Sequence, residues 1–295
     1  MPLTHTRQFR VRYYECDAYG HVNNANYFRY MTETAFDASS AAGYDLSAYE
    51  DLGHIWLPRT KTVEYLKPLR YGDTVEVKTW VEDYRRVRSR RAYEFRLLGE
   101  NQLAAHGHTD WIYLNTETQR PAKIPEEMMR KFFPEGLPEE APRRQAFPSA
   151  PPTPDGAITI YKYIAWSQID PAQHVNNAEY LRMIEDAGVA ATAQLGWPMA
   201  RITEEGFAVV ARKIEIEYRL QAKMGEQVEI TTFVSDMKPA SCIRHCLIHY
   251  PNGGGLIAQA RTLFAFVGLE NGRPARIPAH LVQDFAHHTA GEPVR

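Results

Sequence analysis

Asp17, His21, Asn23 and Asn24 fall within eight residues of one another, in the run Asp17-Ala-Tyr-Gly-His21-Val-Asn23-Asn24-Ala-Asn-Tyr27. The run returns as Asp170-Pro-Ala-Gln-His174-Val-Asn176-Asn177-Ala-Glu-Tyr180, identical at seven of eleven positions. A carboxylate four residues before an imidazole supplies two groups that acyl transfer uses. Asp17 or Asp170 can act as general base on a water or attack a carbonyl carbon directly. His21 and His174 can orient the carboxylate or the carbonyl, or pass a proton to a leaving group. The oxyanion of a tetrahedral transition state needs fixed donors. The first-turn N–H groups of a helix near Asn24 to Asn26, or Asn177 to Glu179, would supply them with the helix dipole in support. Asn23 and Asn176 read as residues that fix the loop by side-chain to backbone bonds. The competing reading is a turn and a helix cap without chemistry. A cap requires one residue, whereas seven recur, and that favours chemistry for the aspartates.

Such a loop has to be held by elements that repeat with it. The offset between copies is 153, and it persists without a gap through Glu64-Tyr65/Glu217-Tyr218, Gly72/Gly225, Thr79/Thr232, Arg91/Arg244, Thr109/Thr262 and Arg120-Pro121/Arg273-Pro274. The chain is therefore an internal duplication. Between the copies, residues 134–156 carry seven prolines in 23 positions, a composition that denies both helix and sheet ladder and favours an extended spacer. The expected domains are 1–133 and 157–290, joined by the linker 134–156. In each copy a strand (Phe9 to Tyr14; Ile158 to Trp166) precedes the loop, and Asn24 or Asn177 is placed to cap a long helix. The helices are expected over 25–42, with Phe28, Met31, Ala35 and Ala38 on one stripe and Gly43 as its stop, and over 178–194, stopped by Gly196. Four strands follow, near 54–67, 74–84, 89–99 and 102–115, and again near 207–220, 227–237, 241–250 and 256–267. One apolar helix with a mostly antiparallel five-stranded sheet is an α+β unit whose sheet must wrap the helix to bury it.

Composition narrows the function classes. At 295 residues the chain exceeds the usual size of one packed core, and 44% hydrophobic with 24% charged residues is the makeup of a globular protein. Lys plus Arg 34 against Asp plus Glu 36 gives a net charge of −2, which argues against a general nucleic-acid binder. No apolar run is long enough to span a membrane, and the first ten residues lack the apolar stretch of a secretory signal. Three cysteines, Cys16, Cys242 and Cys246, suit reduced thiols, and a cytoplasmic location is expected.

The order strand, Asp-x-x-x-His-Val-Asn-Asn-x-x-Tyr, long helix, four strands resembles the hotdog-fold acyl thioesterases, the family that includes the hydroxybenzoyl-CoA and long-chain acyl-CoA enzymes. The resemblance covers nearly the whole chain, twice. Tyr65-Leu-Lys-Pro-Leu-Arg-Tyr-Gly72-Asp73 looks like the family's second strand pair, and Arg120-Pro-Ala-Lys-Ile-Pro125 looks like the end of an acyl-carrier-protein (ACP) thioesterase domain. The resemblance implies a double hotdog in which the halves pair as single-domain members do on dimerising, each completing the other's pocket. It also implies a thioester hydrolase that needs no cofactor and no metal, with acyl-CoA or acyl-ACP as partner. A homodimer of such chains is consistent with it. Carrier-protein enzymes of this type carry Asn two residues before the motif His, where this sequence has Tyr19 and Ala172. They also carry a Glu where it has Pro68 and Gln221. The acyl-CoA branch fits these departures better. A carrier-protein thioesterase is the nearest alternative, hydratase relatives differ in their Asp-to-His spacing, and a non-catalytic acyl-CoA-binding module is the rival from another class.

Other clusters carry less. Arg85, Arg86, Arg88, Arg90 and Arg91 crowd an expected hairpin, where Arg88 and Arg91 are candidates to meet the phosphates of CoA or an acidic carrier. The plain alternative is a solvated hairpin tip. On a strand His106 and Asp110 lie roughly 13 Å apart, too far for one ion with His108. Strand alternation likewise sends Cys242 and Cys246 away from His245 and His249. Cys16 beside Asp17 reads as a buried apolar position, because its counterpart is Ile169.

Overall fold

The computed structural model describes residues 1–100, 102–137 and 144–291. Prolines 138 and 142 of the expected linker lie outside them. The chain divides into two compact units, residues 1–146 and 147–295. In the first, β1 (Thr4–Arg10) leads to α1 (Asn24–Ala41), α2 (Leu46–Leu52), β2 (His54–Tyr65), β3 (Thr74–Arg85), β4 (Arg88–Leu97), β5 (Gln102–Asn115) and α3 (Glu126–Phe132). The strands lie in the order β1-β3-β4-β5-β2, antiparallel at every step. The second unit repeats this with β6 (Ile158–Tyr163), α4 (Asn177–Gln194), α5 (Met199–Glu204), β7 (Phe207–Tyr218), β8 (Gln227–Lys238), β9 (Ser241–His249), β10 (Leu256–Gly268) and α6 (Ala279–Asp284). Its order is β6-β8-β9-β10-β7, again antiparallel. A two-residue strand, β11 (Thr289–Ala290), adds a short parallel pairing to β8 that the duplication does not foretell.

The long helices begin one residue earlier than expected, and their caps are Asn23 and Asn176, not Asn24 and Asn177. Asn23 sits outside helical backbone space at φ −59°, ψ 140°, so its side chain can fold back and accept from the Ala25 amide at 3.0 Å. Asn176 does the same for Ala178 at 3.0 Å. The following asparagines already have helical backbone and cannot reach. At the far ends Gly43 and Gly196 take φ of +87° and +85°, left-handed values open to glycine without a Cβ clash. Phe28, Met31, Ala35 and Ala38 are all buried, as the spacing requires, while Arg29, Glu33, Phe36 and Ser40 face outward. Full burial of a side chain such as Phe28 or Met31 contributes about 1.5–3 kcal/mol.

Two departures concern the segment before the motif. β1 ends at Arg10 and β6 at Tyr163, and residues 13–15 and 166–168 wind into single 3₁₀ turns. The Glu15 carboxylate accepts from the Arg12 amide at 2.7 Å and Gln168 Oε1 from the Ala165 amide at 2.8 Å, which pulls the chain back on itself. Tyr13, Tyr14 and Trp166 are thereby turned out to solvent. The four short helices also go beyond the periodicity. Asp45 caps α2 by accepting from the Ala48 amide, and α3 contributes Met128 and Phe132 to the first core. No helix among the described residues is long and apolar enough to cross a membrane.

One cation sits inside the first core. Lys61 of β2 is 1% exposed, and its ammonium donates to Thr32 Oγ1 at 2.8 Å and Phe28 O at 3.4 Å, with no carboxylate beside it among the described residues. Burial pushes it down to about 7. Above that pH the folded chain holds a neutral amine while the unfolded chain still binds the proton up to the ordinary lysine range, so the cost of burying Lys61 falls as pH rises. Lys61→Met is expected to stabilise the protein by roughly 3 kcal/mol at pH 7, with the gain shrinking towards pH 10. Denaturant midpoints of the two proteins at both pH values check this, and an equal or growing gain at high pH would contradict the burial argument.

Candidate active site

The motif loops are built alike. In the first unit the Asp17 amide donates to His21 O at 2.7 Å, and Asp17 Oδ1 accepts from the amides of Tyr19 at 2.9 Å and His21 at 3.1 Å. One carboxylate oxygen thus closes its own turn, and Oδ2 stays clear of those bonds for a water or a substrate. In the second unit the Asp170 amide donates to His174 O at 3.0 Å and Asp170 Oδ1 accepts from Ala172 at 3.0 Å. The turn needs a left-handed residue, which is Gly20 at φ +72° in one copy and Gln173 at φ +64° in the other. A side chain there costs more than a glycine, so the second loop is the more strained of the two.

Each loop is fastened to the helix it precedes. The Asn23 amide donates to Glu15 O at 2.9 Å and Asn26 Nδ2 to the same oxygen at 2.8 Å. The buried Glu15 carboxylate also accepts from Tyr30 Oη at 2.8 Å, tying the pre-motif turn to α1. The Asn176 amide makes the matching bond to Gln168 O at 2.9 Å. These fastenings alter the expected oxyanion hole. Of the three first-turn amides in the second unit, Ala178 donates to Asn176 Oδ1 and Glu179 to Asn176 O, which leaves the Asn177 amide as the available donor. In the first unit Ala25 and Asn26 are spent on Asn23 in the same way. Asn23 and Asn176 therefore hold the helix start, and in the second unit the backbone of position 177 carries the candidate donor.

Asp170 and His174 line one cleft of about 570 Å³ with Trp166, Gln173, Lys223 and Met224. Sequence reasoning missed three contributors to this surface. Lys223 and Met224 come from the β7–β8 turn, and their counterparts at the 153 offset are Arg70 and Tyr71; Trp166 matches Tyr13. Tyr13 and Tyr71 meet edge to face at 5.8 Å, and His21 bridges to Arg70 in backbone register. Each motif is thus flanked by an exposed ring, an exposed apolar or aromatic residue and a cation, a pattern visible only once the offset is applied outside the motif. His21 is half-buried. Burial, and then the Arg70 guanidinium, hold its imidazole below the ordinary value against the pull of Asp17, so it is neutral at pH 7 and free to accept a proton. Cys16 is half-buried, not buried, and burial with the neighbouring Asp17 pushes its thiol up, which disfavours a thiolate nucleophile.

The arginine hairpin does not act as one grip. Arg90 donates two bonds to Asp110, at 2.8 and 2.7 Å, and Arg85 pairs with the buried Asp83 at 3.1 Å. Arg144 also donates to Asp83 and lies 3.8 Å from Asp110. Arg88 is exposed, whereas Arg91 turns inward with its guanidinium over the Phe132 ring at 5.4 Å. Strand alternation puts positions 88 and 91 on opposite faces, so the two do not converge on one phosphate. His106 lies 3.9 Å from Glu64 and Asp110 is taken by arginine, and no group of three or more His, Cys, Asp or Glu among the described residues could hold a metal.

A family model described as thioesterase-like superfamily matches residues 11–132 and again 164–285, both times across the motif loop, the long helix and the strands after it. The chain belongs to the thioesterase-like superfamily. This thioesterase-like chain is 27% identical over 194 residues to a chloroplastic acyl-[acyl-carrier-protein] hydrolase of Cuphea viscosissima, covering 62% of the chain and 46% of that protein. It is 30% identical to a candidate acyl-CoA thioesterase of Bacillus subtilis over 130 residues, 44% of the chain and 89% of that protein. The chain spans about half the length of the first of these. Its fold matches the crystal structure of a candidate oleoyl thioesterase from Lactobacillus plantarum with a TM-score of 0.75 at 18% identity, over 90% of this chain and 96% of that one. The thioesterase-like chain is thus two tandem hotdog repeats, each an α+β unit with its long helix against an antiparallel sheet.

The arginine assignments are tested by stability. Arg90→Ala leaves the largely buried Asp110 with the Thr60 hydroxyl and the more distant Arg144 and is expected to cost about 3 kcal/mol, whereas Arg88→Ala should stay within about 0.5 kcal/mol of wild type. Urea midpoints of the two variants separate a structural Arg90 from a solvated Arg88.

Proposed function

We propose that the chain hydrolyses an acyl-CoA thioester to the free acid and CoA, with Asp17 and Asp170 as the reactive carboxylates. The observation that carries this reading is the shared cleft of Asp170 and His174 beside the start of α4, where the Asn177 amide has no partner among the described residues. With the thioester carbonyl at that amide, the Asp carboxylate takes a proton from water as the water oxygen attacks the carbonyl carbon. The resulting oxyanion is held by the amide and by the positive end of the helix dipole. Collapse breaks the C–S bond, and the proton reaches the leaving thiolate through the neighbouring His21 or His174. Direct attack by the carboxylate, followed by hydrolysis of the anhydride, uses the same groups. On this reading the domains are 1–133 and 157–290 with 134–156 as linker, and the protein is cytoplasmic and uses Arg88 and Arg91 towards the substrate separately, from opposite faces of β4.

An acyl-carrier-protein substrate is the second reading, favoured by the name of the Cuphea relative and by the exposed rings and cations around each motif. Thiol release from short, long and aromatic acyl-CoAs, with an acyl-ACP in parallel, decides between them. Asp17→Asn and Asp170→Asn are expected to reduce kcat by a hundredfold or more in whichever half is active, and the double variant to abolish turnover. A double variant as fast as wild type would remove the aspartates from the mechanism. Binding without cleavage of any thioester would make the chain an acyl-CoA-binding module.

A further inference from the structure

The interior faces of the two units differ in a way their shared fold does not require. On the first sheet Lys61 of β2 lies opposite Thr109 of β5, and Thr109 opposite Arg91 of β4, so the three form one row beneath α1. Trp111 and Tyr113 continue the same face of β5, and Tyr93 follows Arg91 on β4. All six are buried, from 0% exposed at Thr109 to 7% at Trp111. Four of their polar atoms, Tyr93 Oη, Thr109 Oγ1, Trp111 Nε1 and Tyr113 Oη, have no hydrogen-bond partner among the described residues. The Tyr93 hydroxyl lies near Thr109 and Trp111, so these groups converge on one face. Lys61 and Arg91 bring an amine and a guanidinium to the same face, and neither pairs with a carboxylate among the described residues.

Buried polar groups left unpaired are costly, and native cores carry few of them. The second unit shows that the fold does not need polar groups at most of these positions. At the 153 offset Lys61, Tyr93, Trp111 and Tyr113 become Ile214, Cys246, Phe264 and Phe266. Arg91 becomes Arg244, whose guanidinium is satisfied by the hydroxyls of Thr192 at 2.9 Å and Thr232 at 3.2 Å. The polar interior of the first unit is therefore specific to that unit. Lysine, arginine and the indole N–H are donors only, and the hydroxyls can donate, so the complementary group is an acceptor carrying negative charge. Its place along α1 gives it a context. The Lys61 ammonium touches α1 at Phe28 and Thr32, four and eight residues past Asn24, or about 6–12 Å along the helix from the motif end.

We propose that the interior of the first unit binds the far end of the substrate's acyl group, and that this end carries a carboxylate or comparable oxyanion. The proposal rests on the thioesterase reading for its orientation: with the thioester at the Asp17 loop, the distal end of the acyl group lies along α1 at Lys61, Arg91 and the unpaired hydroxyls. Substrates would then be monothioesters of dicarboxylic acids or similarly oxygenated acids, in preference to plain hydrocarbon chains.

The test compares octanoyl-CoA with suberoyl-CoA, equal in chain length and differing in the terminal carboxylate, by thiol release from wild type and from Lys61→Met, Arg91→Met and Tyr93→Phe. Wild type is expected to favour suberoyl-CoA at least tenfold in kcat/KM, and each variant to lower that ratio about tenfold or more. Tyr93→Phe should melt at or above wild type, because it removes an unpaired hydroxyl, and this separates lost recognition from lost folding. Equal or better use of octanoyl-CoA, or a ratio unmoved by all three variants, would overturn the anion site and leave the hydrolase reading standing. If neither thioester is cleaved, calorimetric titration with free suberate and octanoate reads the site directly. Suberate binding in wild type that is lost in Lys61→Met supports the site, and absence of suberate binding overturns it.

Discussion

The start of the long helix is where each unit is pinned. An asparagine outside the helix closes the first turn with its side chain, while its own amide reaches back to the carbonyl of residue 15 or 168. The strand, the 3₁₀ turn, the motif loop and the helix are thereby held as one piece. The Asp carboxylate spends one oxygen on its own turn, so its orientation follows from backbone bonds and not from a neighbouring side chain. A rigid turn at the positive end of a buried helix is what a reacting carbonyl needs beside it, because donors that are already in place need not reorganise as charge develops.

Around that shared core of bonds the two copies have diverged in opposite directions. The second builds an apolar cluster on Trp197, Phe207, Phe266 and Phe285, with the buried Arg244 satisfied by threonines. The first fills the matching space with tyrosines, a tryptophan and two cations. Outside, the first copy spends its arginines on a network of carboxylates, with Asp83 and Asp110 each reached by two guanidinium groups. Two arginines of what looks like a ligand patch along the chain, Arg85 and Arg90, are consumed in holding one hairpin.

The sequence by itself determined the duplication, the α+β unit and the positions of both motif loops. Those features depend on local rules: a 3.6-residue stripe places the long helices, alternation places the strands, and identical residues at a fixed offset make the two copies check each other. The cap slipped by one residue because Asn23 and Asn24 have the same side chain and differ only in backbone angles, which follow from how the loop docks. The first strand was set too late because the carboxylate of Glu15 folds the chain back, a bond between residues of no distinctive pattern.

What tertiary structure alone decided is which side chains meet. Asp110 is paired by Arg90 across neighbouring strands, Lys223 and Trp166 arrive at the Asp170 cleft from separate turns, and Lys61, Arg91 and Tyr93 share one face only after three strands have set their register. A sequence lists donors and charges, but their pairing depends on register and burial. Those are set by long-range contacts that no local spacing encodes.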